Sequence, residues 1–250
     1  GKYININAPL TATGTNAGLV MNYGTDYTIW TPASYSGAVL NSDGLPVAQK
    51  APDGAVYGSI TLSGANASLA MNNQAYTLIH DLAKLASYSG VSGSYALANN
   101  IEASGTYTAA VMGTLTGTLT GLGHTVNGLT ISNSTGNYLA LIGQASSGAV
   151  IRDIGLTNAS IVGNVYVGTL LGESMGSIVV ENTYSTGSVN ASSYAGGLVG
   201  TITGSTVEDS TVYKTYSCAN VNETTQSTSS IGGLIGDGHN RVYIKNETAA

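Results

Sequence analysis

A short motif ending in glycine recurs through the second half of the chain and constrains the fold more than any other feature. Its four copies are Leu141-Ile142-Gly143, Leu170-Leu171-Gly172, Leu198-Val199-Gly200 and Leu234-Ile235-Gly236. They recur at intervals of roughly 30 residues, which is typical of repeat architectures. A unit this small cannot bury its own apolar face, so the units must stack, with Ile, Val and Leu inside and glycine at tight corners. The pattern therefore predicts a solenoid of short strands.

The composition agrees with an all-β chain and excludes several classes of partner. Charged residues make up 8% of the sequence, glycine occurs 34 times and phenylalanine is absent. With seven Lys and Arg and a net charge of −6, the chain offers no cationic surface for nucleic acid or anionic lipid. The single cysteine, Cys218, excludes an internal disulfide.

Neither a membrane span nor a signal peptide is predicted. No apolar run reaches the length of about 18 residues that a spanning helix needs, and the first residues lack the basic and apolar regions of a signal peptide. We therefore expect no direct membrane insertion, and we expect this segment to be internal to any exported parent protein.

Patterning along the chain predicts one continuous elongated domain with three parts. Residues 1–76 are expected to form N-terminal strand coils, interrupted at 32–54 by a long excursion loop that holds Pro32, Pro46 and Pro52. Apolar residues at helical spacing between Thr77 and Ser87 predict one short helix within 77–88. Residues 89–250 are expected to form the repeat region.

The repeats resemble a known family. Ala195-Gly196-Gly197-Leu198-Val199-Gly200 and Ile231-Gly232-Gly233-Leu234-Ile235-Gly236 are similar to the GLUG repeat, and Val167-Gly168-Thr169-Leu170-Leu171-Gly172 is a looser copy. The segments at 121–131 and 151–156, together with Ile6-Asn7-Ala8-Pro9, resemble filamentous-haemagglutinin-like exoproteins.

This resemblance implies a right-handed parallel β-helix in a parent that an outer-membrane partner exports by two-partner secretion. It also implies a location on, or release from, the exterior of a Gram-negative outer membrane, with a role in adhesion, aggregation or biofilm formation. Capture of a host haem-carrier protein is a further role that the family permits. The sequence lacks the Asn-Pro-Asn-Gly element of the family's secretion domain, so we expect the segment to lie downstream of it.

The best candidate for a ligand-binding surface is an aromatic group beside the excursion loop, formed by Tyr23, Tyr27, Trp30 and Tyr35. Aromatic side chains near a loop can stack on sugar rings or anchor a protein partner. The alternative is that the same rings cover the amino-terminal end of the core. Tyr194 and Tyr213 are weaker candidates.

No motif makes a strong case for catalysis, a cofactor or a metal. Gly172-Glu173-Ser174-Met175-Gly176 fits the G-x-S-x-G nucleophile pattern, but a strand and not a helix is predicted after it. His80, His124 and His239 are far apart in sequence. Glu208 and Asp209 form the only adjacent acidic pair, and they are predicted on alternate faces of one strand.

The sequence therefore favours a non-enzymatic segment of a secreted surface adhesin that binds a glycan, an exopolysaccharide or a cell-surface protein. A passive structural stalk and haem-carrier capture remain alternatives. A polysaccharide-active enzyme on the same fold is a further one, because stacking can bring distant carboxylates together.

Overall fold

The computed structural model describes residues 2–35, 39–40, 46–47, 56–205, 207–224, 230–245 and 248–249. The first strands are β1 (Tyr3–Ile6), β2 (Pro9–Thr11), β3 (Gly18–Met21), β4 (Asp26–Ile29), β5 (Val39–Leu40), β6 (Pro46–Val47), β7 (Ser59–Thr61), β8 (Ser68–Met71), β9 (Gln74–Ile79) and β10 (Ser92–Leu97). A 3-10 helix spans Pro32–Tyr35 and one α-helix, α1, spans Leu82–Ala86.

In the described residues from 101 onward, the regular elements are all strands. They are β11 (Ile101–Glu102), β12 (Thr106–Tyr107), β13 (Met112–Thr120), β14 (Thr125–Asn127), β15 (Thr130–Ser132), β16 (Ile142–Ser146), β17 (Val150–Arg152), β18 (Gly155–Val162), β19 (Val165–Val167) and β20 (Leu171–Met175). The last ones are β21 (Val179–Glu181), β22 (Tyr184–Ala191), β23 (Ser193–Gly196), β24 (Val199–Thr203), β25 (Ser210–Tyr213), β26 (Tyr216–Glu223), β27 (Ile231–Gly232), β28 (Ile235–His239), β29 (Val242–Lys245) and β30 (Thr248–Ala249).

Strands of successive repeat units pair in parallel, which confirms the all-β prediction. One sheet contains the row β13-β16-β20-β24-β28 and the branch β17-β21-β25-β29, and a second contains β14-β18-β22-β26-β30. A third consists of β19, β23 and β27. Among the described strands, only the pairs β5–β6 and β8–β9 are antiparallel.

Identical registers place like residues above one another in the core. Leu119, Ile151, Val180 and Val212 are consecutive partners across four strands, and each is fully buried. Burying an aliphatic side chain of this size stabilises a fold by roughly 1.5–3 kcal/mol. Such rows of aligned core residues are expected if the repeat units stack, as the sequence predicts.

The repeat glycines lie where two segments of backbone approach closely. A Cβ on Gly172 would lie 2.6 Å from the carbonyl oxygen of Gly143, and one on Gly200 would lie 2.5 Å from that of Gly172. Gly200 would also meet the backbone nitrogen of Val167 at 2.7 Å. Any larger side chain would push the units apart, so the periodicity of the motif follows from backbone packing.

The helix is shorter than predicted. Thr77, Leu78 and Ile79 belong to β9 and pair in parallel with Tyr95, Ala96 and Leu97. Asp81 is the N-cap of α1, and its side chain accepts a hydrogen bond of 2.7 Å from the backbone N–H of Lys84. No helix in the described part of the chain has the length and apolar character needed to span a bilayer.

The predicted excursion loop is only partly described. It begins with the 3-10 helix at Pro32–Tyr35 and contains the short β5–β6 pair. Residues 36–38, 41–45 and 48–55 lie outside the described residues.

The N-terminal strands lie alongside the repeat units. The backbone N–H of Leu62 donates to the carbonyl oxygen of Ala98, and that of Ile60 donates to the carbonyl oxygen of Leu122, both at 2.9 Å. Further along, the side-chain amide of Asn182 donates to the carbonyl oxygen of Ile29 at 2.8 Å. The segments that hold β4 and β7, which we call the N-terminal layer, thus contact several successive units.

Candidate functional site

The aromatic group predicted beside the excursion loop is split by the fold. Tyr23 and Tyr27 form a tilted pair with ring centroids 5.4 Å apart, and Trp30 pairs with Tyr57 at 6.3 Å. Tyr23 and Trp30 are half-buried, whereas Tyr27 is only 2% exposed. The side chain of Tyr35 lies outside the described residues.

Tyr27 packs between the N-terminal layer and the repeat units. The guanidinium of Arg152 lies 4.2 Å from its ring centroid, and its hydroxyl is 3.2 Å from the hydroxyl of Thr120. Burial, reinforced by the Asp153 carboxylate, raises the pKa of Tyr27 well above its ordinary value. Because Arg152 covers its ring, Tyr27 has no face left for a ligand.

Arg152 is surrounded by three carboxylates. Its guanidinium contacts Asp26 at 3.0 Å, Asp153 at 2.9 Å and Glu181 at 3.7 Å. Asp153 also accepts a hydrogen bond of 2.7 Å from the amide of Asn182. Burial raises the pKa of Asp153, and Arg152 opposes part of that effect. This cluster fastens the N-terminal layer to the repeat region, and its polar atoms are satisfied by one another.

A second aromatic group forms a ladder on the surface of the repeat region. Tyr138 stacks on Tyr166 and Tyr166 stacks on Tyr194, each with 5.0 Å between ring centroids and interplanar angles of 7° and 22°. All three side chains are half-buried. We refer to Tyr138, Tyr166 and Tyr194 as the tyrosine ladder.

The ladder tyrosines share an uncommon backbone conformation. Their φ angles are +57°, +61° and +49° for Tyr138, Tyr166 and Tyr194. The left-handed region costs most residues roughly 1–2 kcal/mol, and asparagine, aspartate and glycine enter it more easily. Asparagine holds the same region elsewhere, for example at Asn158 and Asn182. Tyrosine occupies this region in three successive units despite that cost, which makes these positions candidates for a role of the ring or its hydroxyl.

A row of polar side chains lies beside the ladder. Strand register aligns Gln144 with Glu173, Glu173 with Thr201 and Thr201 with Asp237. The amide of Gln144 donates to the carboxylate of Glu173 at 2.9 Å. We refer to Gln144, Glu173, Thr201 and Asp237 as the polar row.

Contacts and electrostatics place the ladder and the polar row together. A Cβ on Gly172, the residue before Glu173, would meet the backbone of both Tyr138 and Tyr166 within 3 Å. The pKa of Tyr166 is raised by burial first and then by the Glu173 carboxylate, with a smaller contribution from Asp237. The phenol of Tyr166 therefore lies within electrostatic range of two carboxylates.

Thr201 leaves one hydrogen-bonding group unused at the centre of the polar row. Its side chain is 2% exposed, and its Oγ1 has no hydrogen-bond partner. Register puts it between Glu173 and Asp237. A buried hydroxyl without a partner is uncommon, and the hydroxyls of Thr183 and Thr215 are buried without a partner in the same way.

The serine of the G-x-S-x-G pattern lies within a strand. Ser174 belongs to β20 and is 1% exposed. Its hydroxyl accepts a hydrogen bond of 2.7 Å from the backbone N–H of Thr203. The strand-to-helix turn that a nucleophile elbow requires is not formed at this position.

The other titratable residues lie apart from the ladder's rings. His124 is buried, with its ring nitrogens 3.1 Å from the side-chain oxygen of Asn100 and 2.9 Å from the carbonyl oxygen of Ile60. Glu208 and Asp209, predicted on a strand, precede β25 in a loop, and Asp209 pairs with Arg241. Among the described residues, no three His, Cys, Asp or Glu side chains come together as a metal site.

The sequence analysis named only Tyr194 of the ladder, as a weaker candidate, and it missed Tyr138 and Tyr166. A signal was present, because each tyrosine precedes the final glycine of its motif by five or six residues. That spacing could not reveal the stacking, which depends on parallel register between units.

No family model and no solved structure matches the chain significantly. Among curated proteins, it is similar to halomucin of Haloquadratum walsbyi (strain DSM 16790 / HBSQ001), with 42% identity over 74 residues. That match covers 30% of this chain and 1% of halomucin, so it extends over a small part of a much longer protein.

Proposed function

We propose that this chain is a β-helical segment of a secreted surface protein and that it mediates attachment by binding a glycan or polysaccharide at the tyrosine ladder. The observation that carries the proposal is the ladder itself, three stacked and half-exposed rings held in a left-handed backbone conformation. Adhesion to cells, to a biofilm matrix or to a host surface follows from such binding.

The strand pairing supports a β-helix. Each unit contributes strands to several parallel rows, as β16, β17, β18 and β19 do, and the next unit adds β20, β21, β22 and β23 to the same rows. A chain that returns to the same row after about 30 residues winds around a common core. Parallel crossovers are almost always right-handed, so we propose the right-handed form.

Binding is favoured over chemistry because of how the polar groups are placed. Because Tyr166 is stacked between Tyr138 and Tyr194, a sugar would meet the outer edges of the rings and the phenol hydroxyls, which donate and accept hydrogen bonds. The carboxylate of Glu173 and the amide of Gln144 add acceptors and donors beside the rings. We assign this surface no catalytic step, cofactor or metal.

We also propose that the chain is located outside the cell. The partial similarity to a protein named as a mucin is compatible with a place outside the cell. The resemblance to filamentous-haemagglutinin-like exoproteins adds an outer-membrane secretion partner for the full-length parent. A cell-surface protein as the ligand, haem-carrier capture and a passive stalk are the competing roles.

The direct test is a glycan and exopolysaccharide array probed with the purified chain and with a Tyr138→Asn/Tyr166→Asn/Tyr194→Asn variant. Asparagine tolerates the left-handed region, so the backbone is preserved while the rings are removed. The matched control is Tyr243→Ser, which removes a 50% exposed tyrosine elsewhere on the surface. Circular dichroism verifies that every variant is folded.

We expect the parent chain and the control to bind and the ladder variant to lose binding. A parent chain that binds nothing on the array would favour a passive stalk. A ladder variant that binds as well as the parent would move the site elsewhere. Trp30→Leu tests the half-buried tryptophan of the N-terminal group in the same assay.

A further inference from the structure

We infer that the tyrosine ladder and the polar row select an extended glycan without negative charge, whose sugar units follow the direction of the ladder. This inference rests on the proposed function and names the ligand class of the same site. Two properties of the surface carry it, namely its spacing and its charge.

The spacing fits a linear polymer. The two ring-to-ring distances in the ladder are both 5.0 Å, which is close to the length of one pyranose unit in an extended chain. The polar row repeats at the same interval, because its members are neighbours in a sheet whose strands lie about 4.8 Å apart. Successive sugars can therefore make equivalent contacts, whereas a compact branched glycan would reach one unit only.

The charge of the surface selects against acidic sugars. Glu173 and Asp237 accept hydrogen bonds from sugar hydroxyls and repel carboxylate or sulfate groups. Four of the basic side chains are engaged elsewhere: Lys84 over Tyr88, Lys214 over Tyr213, Arg152 with Asp26 and Arg241 with Asp209. Among the described residues, the cation–π contacts involve Tyr88, Tyr27 and Tyr213 and none of the ladder tyrosines.

His239 is a titratable group in direct contact with one end of the polar row. Its Nε2 lies 2.5 Å from the Oδ2 of Asp237, and the imidazole is 57% exposed. A charged imidazole would offset part of the repulsion at this end of the row, so the test includes a variant that removes it.

The other two members of the polar row, Thr201 and Gln144, carry no charge. Thr201 is the residue between the two carboxylates in the row, and its Oγ1 has no partner. Gln144, at the other end of the row, extends the same line of polar groups.

The experiment uses matched pairs of polymers with one backbone and two charge states. The probes are hydroxyethyl and carboxymethyl derivatives of cellulose, of a β-1,3-glucan and of dextran, measured by affinity electrophoresis against the purified chain. The variants are Glu173→Gln/Asp237→Asn, His239→Gln and the triple ladder variant defined above.

We expect the chain to bind at least one neutral polymer. It should bind the carboxymethyl partner of that polymer at least about tenfold more weakly, a difference of about 1.4 kcal/mol in binding free energy. Glu173→Gln/Asp237→Asn should reduce the difference in affinity between the neutral and the carboxymethyl polymer. His239→Gln should leave that difference unchanged or increase it. Equal or tighter binding of a carboxymethyl polymer, lost in the ladder variant, would overturn this inference and leave the proposed function intact. Failure to bind any of these polymers in either form would overturn this inference, whereas the proposed function would stand or fall with the glycan array.

Discussion

Arg152 and Asp26 are 126 residues apart in the chain, and they form an ion pair with 3.0 Å between Nη1 of Arg152 and Oδ1 of Asp26. The same guanidinium covers the ring of Tyr27. This contact joins strand β4 of the N-terminal layer to strand β17 of the repeat region. It explains why an aromatic residue predicted to bind a ligand is instead part of an internal interface.

Removal of the Arg152 charge should destabilise the chain strongly. The Arg152 side chain is 12% exposed and Asp153 beside it is fully buried, so Arg152→Met leaves buried carboxylates without a counter-charge. We expect a loss of about 3–5 kcal/mol in the free energy of unfolding, measured by urea denaturation. Arg241→Met is the control, because Arg241 is 51% exposed in its pair with Asp209 and should change stability by about 1 kcal/mol or less. Equal effects of the two substitutions would contradict the assigned role of Arg152.

The acidic cluster should give the chain a distinctive pH dependence. Burial raises the pKa of Glu181 above its ordinary value of 4.5, with Arg152 opposing and Asp153 and Asp26 reinforcing the shift. The folded state then binds a proton more tightly than the unfolded state does, so this group's contribution to stability falls as pH rises from 4.5 through the raised pKa.

Glu181→Gln isolates that contribution. Unfolding free energies of the parent and the variant, measured at intervals between pH 4 and pH 8, should diverge with rising pH, with the variant gaining relative to the parent. Two parallel curves would show that Glu181 titrates in the folded chain as it does in the unfolded chain.

The ladder tyrosines should be dispensable for folding. In Tyr166→Asn, the loss of two stacking contacts, each about 0.5–1.5 kcal/mol, is offset by relief of a left-handed tyrosine, about 1–2 kcal/mol. We expect the thermal unfolding midpoint to change little. Tyr166→Val, which puts a β-branched residue at a φ of +61°, should lower the midpoint clearly. A large loss in the asparagine variant would indicate that the ladder is chiefly a structural element.

The repeat glycines should tolerate no side chain. Gly200→Ala would place a Cβ 2.5 Å from the carbonyl oxygen of Gly172 and 2.7 Å from the nitrogen of Val167, so the backbone must move. We expect a loss of about 1–3 kcal/mol or more in unfolding free energy. Gly14→Ala is the control, because nothing lies within 4 Å of its Cβ position, and it should be neutral or slightly stabilising.

Local sequence patterns were sufficient to predict much of the fold. The interval between Gly143, Gly172, Gly200 and Gly236 indicated stacked units, and the structure places these glycines at close backbone contacts. The apolar spacing from Thr77 onward was less reliable. Leu78 and Ile79 fit the face of a helix in sequence, yet pairing with Ala96 and Leu97 holds them in a strand, because long-range hydrogen bonds outweigh local propensity.

The candidate site depended on contacts between units. Tyr138, Tyr166 and Tyr194 are separated by most of a repeat in sequence, and only the parallel register places their rings 5.0 Å apart. The same register aligns Glu173 with Thr201 and Asp237. None of these relationships follows from the residue types alone, because a shift of one residue would turn every side chain to the opposite face.

The sequence by itself determined the all-β character, the presence of repeats and the scarcity of positive charge, since these depend on composition and on short-range periodicity. Tertiary structure alone decided which aromatic residues are covered and which form a surface. Tyr27 is buried by Arg152, a residue from a distant strand, whereas the tyrosine ladder remains half-exposed. The physical reason is that burial is a property of neighbours, and in this chain the neighbours come from segments far apart in sequence.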